Sequence, residues 1–186
     1  MVDRELYLPK SWAADRDRCR AAKIPDERDF HTKGDLAKAM VLRALASELP
    51  IAWVTADSAY EQEGRFRRLL EQSGVGHVLA VPKSQFSAGC PRIDRLFAQA
   101  PAEAWERSSC GNGAKGPRVY HWAAVRLPAV AEYDYQDETQ VRRRWALARR
   151  SLTKPDEIAY YLAYSQLDTT VEQLARITGT RRSAFG

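Results

Sequence analysis

Asp57 is the residue of this sequence whose type and position point most directly to chemistry. It follows the apolar run from Ile51 to Ala56, and a helical pattern comes after it. In α/β proteins, ligands and catalytic groups collect where strands end and helices begin. A carboxylate at such a point can hold a hard divalent cation through its oxygens. Aspartate is also a favoured capping residue, so a purely structural cap is the alternative interpretation.

A second group with chemical meaning is a set of arginines around Trp145. The segment 141–152 contains no acidic residue. Its arginines are Arg142, Arg143, Arg144, Arg149 and Arg150. In a regular strand, the even-numbered arginines lie on one face and the odd-numbered ones on the other. Cationic side chains interleaved with an aromatic ring are typical of nucleic-acid surfaces, and a solvated strand face is the alternative.

Other candidate motifs are weaker. Ser108, Ser109 and His121 are the residue types of a nucleophile and a base, but no G-x-S-x-G turn frames the serines. The three cysteines are an odd number and form no C-x-x-C pair with metal-ligand spacing. We therefore expect reduced, incidental thiols, as is usual in the cytosol.

The composition fits one globular domain, or one domain with an insertion. With 186 residues, 45% of them hydrophobic and 28% charged, the chain is too apolar for a disordered protein. No apolar run approaches the roughly 20 residues of a membrane span, and no signal peptide is visible at the start. The net charge of +5 permits a polyanionic partner without requiring one. We expect a soluble cytoplasmic protein with no membrane partner.

The elements that position Asp57 alternate between helix and strand. The predicted elements are a helix at 32–48, a strand at 51–56, a helix at 62–72 and a strand at 75–81. Thr32 occupies the N-cap position of the first helix. Both strands are apolar on both faces, which predicts parallel strands in a buried sheet, with Asp57 at the end of a central strand. This order predicts an α/β fold, with a further short strand within residues 2–12.

After Lys83 the pattern changes to β-prone stretches separated by turn-rich segments. These stretches are 118–127, 141–152 and 157–165. A helical pattern returns at 170–178, with Thr170 in the N-cap position. The sequence therefore predicts an α/β segment at 1–83, a β-rich segment at 84–168 and a return helix within 169–186.

Four stretches of the sequence, in this order along the chain, resemble DDE transposases. They are Asp-Arg-Glu-Leu-Tyr-Leu-Pro-Lys-Ser-Trp at 3–12, Ala-Trp-Val-Thr-Ala-Asp-Ser-Ala-Tyr at 52–60, Cys-Gly-Asn-Gly-Ala-Lys-Gly-Pro-Arg at 110–118 and Lys-Pro-Asp-Glu-Ile-Ala-Tyr-Tyr-Leu at 154–162. The sequence is similar to bacterial insertion-sequence transposases, in which a ribonuclease-H-like core carries a β-strand insertion. The resemblance extends to about Thr180. It implies a partial ribonuclease-H-like core at 1–83 and 169–186, with the insertion at 84–168.

The resemblance implies a catalytic role for Asp57. In such transposases the second catalytic aspartate ends a core strand in a V-x-x-D-x-x-Y pattern, which Val54, Asp57 and Tyr60 match. Glu61 stands where the family usually has glycine, so the turn after Asp57 differs from the family pattern. The implied activity is metal-dependent cleavage and joining of DNA at transposon ends. Asp57 would then ligate Mg²⁺ or Mn²⁺, and the arginine strand would contact DNA.

The resemblance also implies two further acids. One lies upstream of Asp3, and the other is a glutamate beyond an Arg-Trp pair, where this sequence has Arg181 and Arg182. A two-metal site needs carboxylates that hold two cations roughly 3.5–4 Å apart. We therefore expect a transposase fragment, truncated at both ends and inactive alone. Strands that lack a neighbour also favour self-association.

Two alternatives remain open from the sequence. The first is a DNA-binding module that keeps only the basic β segment and performs no catalysis. The second is an independent metal-dependent hydrolase that uses Asp3, Glu5 and Asp57. Asp3 and Glu5 are two residues apart and would share one face of a strand.

Overall fold

The computed structural model describes residues 3–58, 64–87, 89–113, 116–128 and 142–180. The chain divides into two compact units, Met1–Ile51 and Ala52–Gly186. Asp57 and the arginine strand both belong to the second unit.

The first unit is helical where it is described. Its helices are α1 (Lys10–Ala13), α2 (Arg16–Ala21) and α3 (Lys33–Leu45). Thr32 caps α3 as predicted, because its hydroxyl accepts a hydrogen bond from the backbone N–H of Asp35.

The prediction of a short strand within residues 2–12 is wrong for residues 3–12, which the structure describes. Residues 3–9 form no strand, and α1 follows them directly. A strand needs a neighbouring strand for its backbone hydrogen bonds, and the described residues of this unit provide none. The segment is held by side chains instead, since Arg43 donates hydrogen bonds to Asp3 and to Glu5.

Six strands of the described part of the second unit form one mixed sheet. They are β1 (Trp53–Ala56), β2 (Gly76–Val81), β3 (Glu106–Gly113), β4 (Gly116–Arg126), β5 (Arg142–Arg150) and β6 (Ile158–Gln166). Their order in the sheet is β1-β2-β6-β5-β4-β3. β1 and β2 are parallel, and all other neighbours are antiparallel. The predicted α/β fold is confirmed, and this sheet with its helices is compatible with a partial ribonuclease-H-like core.

Three α-helices of the described part accompany this sheet: α4 (Arg65–Gln72), α5 (Ile93–Ala98) and α6 (Val171–Gly179). α4 lies between β1 and β2 in the chain, as parallel neighbours require a crossover connection. It buries Phe66 and Leu70. Within the described residues, no helix has both the length and the apolar character needed to cross a lipid bilayer.

Helices cover both faces of the sheet. On one side, which we call the α6 face, Leu174 packs in a cluster with Trp122 and Leu147. On the other side, the α5 face, Phe97 packs in a cluster with Ala146. Because side chains alternate along a strand, odd-numbered residues of β5 lie on the α6 face and even-numbered residues on the α5 face.

The sequence located five of these six strands and missed β3. β1, β2, β4, β5 and β6 overlap the predicted strands, and Thr170 caps α6 with a capping box to Gln173. β3 was missed because it reads Glu-Arg-Ser-Ser-Cys-Gly-Asn-Gly, and of these side chains only Cys110 is buried. α5 was missed because six residues give too short a pattern to detect.

A buried ion pair joins α4 to β5. Arg144 donates to both carboxylate oxygens of Glu71, at 3.0 Å from Nε to Oε1 and 2.8 Å from Nη2 to Oε2. Glu71 is only 4% exposed. Removing such charges from water costs several kcal/mol per ion, which this bidentate geometry offsets. Each partner is therefore costly without the other.

We predict that Glu71→Ala lowers the free energy of unfolding by about 3–5 kcal/mol, because it removes the buried carboxylate that accepts two charge-assisted hydrogen bonds from the largely buried Arg144 guanidinium. Chemical denaturation monitored by circular dichroism measures this change. The matched control is Glu172→Ala, which removes an exposed partner of Arg176 and should cost less than about 1 kcal/mol. A Glu71→Met, Arg144→Met double variant should regain most of the loss. Equal small effects of Glu71→Ala and Glu172→Ala would contradict the prediction.

Candidate catalytic and DNA-binding site

Asp57 directly follows Ala56, the last residue of β1, and is partly exposed. The position at the end of a strand agrees with the sequence pattern. The prediction that Asp57 ends a central strand is wrong, because β1 is an edge strand of the sheet among the described residues. An apolar run on both faces of a strand indicates cover above and below it, but does not tell how many neighbours pair with its backbone. Tyr60, Glu61, Arg181 and Arg182 lie outside the described residues.

The topology brings Asp57 and the end of the arginine strand to the same edge of the sheet. β2 and β5 both run antiparallel to β6, so β5 is parallel to β2 and to β1. The carboxyl ends of these three strands therefore lie at one end of the sheet. Asp57 follows β1, Lys83 closely follows β2, and Arg149 and Arg150 close β5.

The arginines of β5 have different surroundings. Arg144, on the α5 face, is paired with Glu71. Arg149, on the α6 face, lies over Tyr120 at 4.6 Å and over Tyr161 at 5.8 Å from the ring centroids. Arg150 lies 3.9 Å from the ring centroid of Trp105, on the α5 face. A guanidinium stacked on a ring keeps the edge that carries its N–H groups open for an anion.

Arg142 and Arg143 open β5, at the other end of the sheet from Asp57. They pair in register with Gln166 and Ser165 of β6. The arginines predicted to contact DNA thus span the length of β5, and those that open and close the strand lie at opposite ends of the sheet.

The donors needed for a two-metal site are not gathered within the described residues. Among them, no group of three or more His, Cys, Asp or Glu side chains is placed to hold a metal ion. Asp57 alone does not fit a pair of divalent cations, which needs several shared carboxylates. In the first unit, Asp3 and Glu5 accept hydrogen bonds from Arg43, and Glu5 also accepts one from Arg28.

Ser108 and His121 do not form a nucleophile–base pair. Arg107 pairs in register with His121, and Ser108 pairs with Tyr120. Neighbouring residues of a strand point to opposite faces, so Ser108 and His121 lie on opposite sides of the sheet. The Ser109 hydroxyl accepts a hydrogen bond from the backbone N–H of Gly111.

A cavity of about 370 Å³ lies at the end of the sheet opposite to Asp57. Its lining includes Trp53 at the start of β1, Gln166 at the end of β6, and Arg176 of α6. The four residues of β1 separate Trp53 from Asp57 by about 13 Å. This cavity is therefore distinct from the edge that carries Asp57.

His77 is a fully buried titratable group on the α5 face. It lies in one cross-strand row with Tyr164 and Arg144, and its ring stacks on Tyr164 with 5.8 Å between the centroids. Burial, followed by the positive charges of Arg67 and Arg144, lowers the pKa of His77 to about 3. The imidazole is therefore neutral in the folded protein at physiological pH.

We predict that the free energy of unfolding falls by about 2 kcal/mol between pH 7 and pH 5 through His77. The unfolded chain takes up a proton near the ordinary pKa of 6.5, whereas folded His77 takes one up only near pH 3. Acid therefore favours the unfolded state throughout this window. Chemical denaturation at both pH values should give a smaller difference for His77→Gln than for the wild type. Equal differences would show that His77 does not carry the effect.

Two residues of this region were missed by sequence reasoning. Trp105 and Arg107 flank the start of β3, the strand that the pattern did not reveal. Trp105 supports Arg150, and Arg107 lies opposite His121. No alternation of polar and apolar residues marks this strand, because Cys110 is its one buried side chain.

The fold and the site define an α/β protein with an acid at a strand end and basic side chains at the same edge. The family model described as DDE superfamily endonuclease matches residues 1–155 of the chain. The chain therefore belongs to this family, which confirms the resemblance to DDE transposases and implies transposase-type nuclease chemistry on DNA. The search of curated proteins found no match.

Proposed function

We propose that this chain is part of a bacterial insertion-sequence transposase that cleaves and joins DNA at transposon ends by metal-dependent transesterification. The single observation that carries the proposal is Asp57, which follows β1 directly in a chain of the DDE superfamily endonuclease family. Val54 and Asp57 match the family pattern around the second catalytic aspartate.

Asp57 is, in this proposal, one of three acids that hold Mg²⁺ or Mn²⁺. At least one of its partners comes from outside the described residues, since no group of three suitable ligands lies within them. One carboxylate cannot by itself hold two cations in the required geometry. In this proposal the 186-residue chain is a fragment in the functional sense and is inactive alone, as its resemblance to such transposases implies.

DNA binding is proposed for the β-rich segment. The proposed contacts are Arg142, Arg143, Arg144, Arg149 and Arg150. The observation in support is that Arg149 and Arg150 close β5 at the edge where Asp57 lies, stacked on aromatic rings. A module that binds DNA without catalysis is the second candidate, and it shares this support.

Three further features belong to the proposal. The chain is organised as a partial core at 1–83, an insertion at 84–168 and a returning helix within 169–186. Self-association takes place through the edge of β1, whose outer side has no partner strand within the described residues.

The protein works in the cytoplasm, where the free thiols of Cys19, Cys90 and Cys110 stay reduced.

The test incubates the purified chain with supercoiled plasmid and Mg²⁺ or Mn²⁺, and follows nicking on agarose gels. We expect no nicked product above that of Asp57→Ala, because Asp57 alone cannot hold the two cations that the reaction needs. The same preparation should bind the plasmid in a salt-dependent manner. Asp168→Ala, which removes a carboxylate at the opposite end of the sheet, is the matched control.

Two results would contradict the proposal. Nicking by the wild type and by Asp168→Ala that is lost in Asp57→Ala would reveal a complete metal site and favour the independent hydrolase. Absence of DNA binding at low salt would exclude both the transposase fragment and the DNA-binding module.

A further inference from the structure

A row of basic side chains crosses three neighbouring strands on the α5 face. Arg107 of β3 pairs in register with His121 of β4, and His121 pairs with Arg150 of β5. Residues paired in this way lie on the same face of a sheet, about 5 Å from one another. The row thus places the Cα atoms of two arginines about 10 Å apart, with that of a histidine between them. Arg107 is exposed, and the other two are partly exposed.

Within the part of the chain that the structure describes, no carboxylate neutralises the two arginines of this row. Within the described residues, neither Arg107 nor Arg150 forms an ion pair with a carboxylate. Arg92 of the same unit differs, because it forms an ion pair with Asp94. Arg144, also on the α5 face, is paired with Glu71. Arg107 and Arg150 therefore keep their full charge available for a partner.

Arg150 is also held in a fixed orientation. Its guanidinium lies 3.9 Å from the ring centroid of Trp105. The other neighbour of this ring is Phe97 of α5, with 6.1 Å between the centroids. Stacking fixes the plane of the guanidinium and leaves its N–H edge free, which is the geometry that recognises a phosphate.

The register of the strands gives the position of this row relative to Asp57. Ala56 is in register with Ala146, through Leu79 and Leu162. Arg150 lies three strands away from β1 and three residues further along than the position of Asp57. The Cα positions of Asp57 and Arg150 are therefore roughly 17 Å apart, a length of about five nucleotides along the axis of a DNA strand. His121 and Arg107 lie in register with Arg150 on the next two strands.

We propose that Arg107, His121 and Arg150 form a phosphate-binding row that holds the backbone of duplex DNA about five nucleotides from Asp57. The inference rests on the proposed DNA substrate and names the surface that positions it. The DNA backbone runs across the strands, from the carboxyl end of β1 towards β3. Arg107 and Arg150 bind phosphate oxygens, His121 donates an N–H between them, and all three act as positioning residues rather than catalytic ones.

The test measures binding of the full chain to a labelled duplex of about 20 base pairs, by fluorescence anisotropy between about 50 and 200 mM salt. In an Arg107→Ala, Arg150→Ala variant, we expect the dissociation constant to rise about tenfold or more. The slope of log affinity against log salt should fall by about 2, one unit for each lost phosphate contact.

The matched control is an Arg126→Ala, Arg176→Ala variant, which also removes two positive charges, but at the opposite end of the sheet. There Arg126 donates to the carbonyl of Leu167, and Arg176 to Glu172. Its dissociation constant should stay within about twofold of the wild type, because it keeps both phosphate contacts. Thermal unfolding of both variants verifies that each is folded at the assay temperature.

Each outcome decides a separate point. Unchanged binding in the Arg107→Ala, Arg150→Ala variant overturns the row while DNA binding stands. Equal weakening in both double variants also overturns it, because net charge then explains the loss. If the wild type itself does not bind duplex DNA, the DNA substrate of the proposed function fails together with the row. Selective weakening of the first variant with the reduced salt slope supports the row.

Discussion

The antiparallel pairing of β2 with β6 is the interaction on which the arrangement of the second unit depends. It runs from His77 opposite Tyr164 to Val81 opposite Tyr160. β2 pairs with β1, the strand that Asp57 follows, and β6 pairs with β5. Because β6 runs opposite to both, β5 is parallel to β1, and their carboxyl ends meet at one edge. The antiparallel direction of β6 therefore brings Asp57, Arg149 and Arg150 from distant parts of the chain to the same end of the sheet.

Side chains on the α5 face reinforce this pairing. The row that contains His77, Tyr164 and Arg144 crosses β2, β6 and β5. Glu71 of α4 reaches Arg144 at the far end of this row. The helix between β1 and β2 is therefore tied to a strand that follows it by some seventy residues. A buried ion pair adds little net stability when compared with a well-packed apolar pair, but it penalises any register in which its partners do not meet.

The sequence predicted the elements whose signals are local. Thr32 and Thr170 occupy cap positions that their hydroxyls fill, and the apolar run of β2 is a buried strand as expected. The edge position of β1 was beyond such reasoning, because backbone pairing with distant strands leaves no local pattern. The pairing of Glu71 with Arg144 was hidden for the same reason, since its partners are 73 residues apart in the chain.

The candidate site shows the same division between local and distant signals. The position of Asp57 after a strand followed from the sequence, because an apolar run and a polar residue that ends it are neighbours in the chain. The row of Arg107, His121 and Arg150 did not, because its members come from three strands and β3 was unrecognised.

The arginines of β5 illustrate why charge counted along a sequence is a poor guide to charge presented on a surface. Arg144 and Arg150 share the α5 face and the same strand. The carboxylate of Glu71 takes up the charge of Arg144, whereas the ring of Trp105 orients Arg150 and leaves its charge in place. The difference arises from what packs beside each strand end, because a carboxylate neutralises a guanidinium and an aromatic ring only positions it. A surface for a polyanion therefore depends on the absence of nearby acids as much as on the presence of arginines, and the cross-strand neighbours determine both.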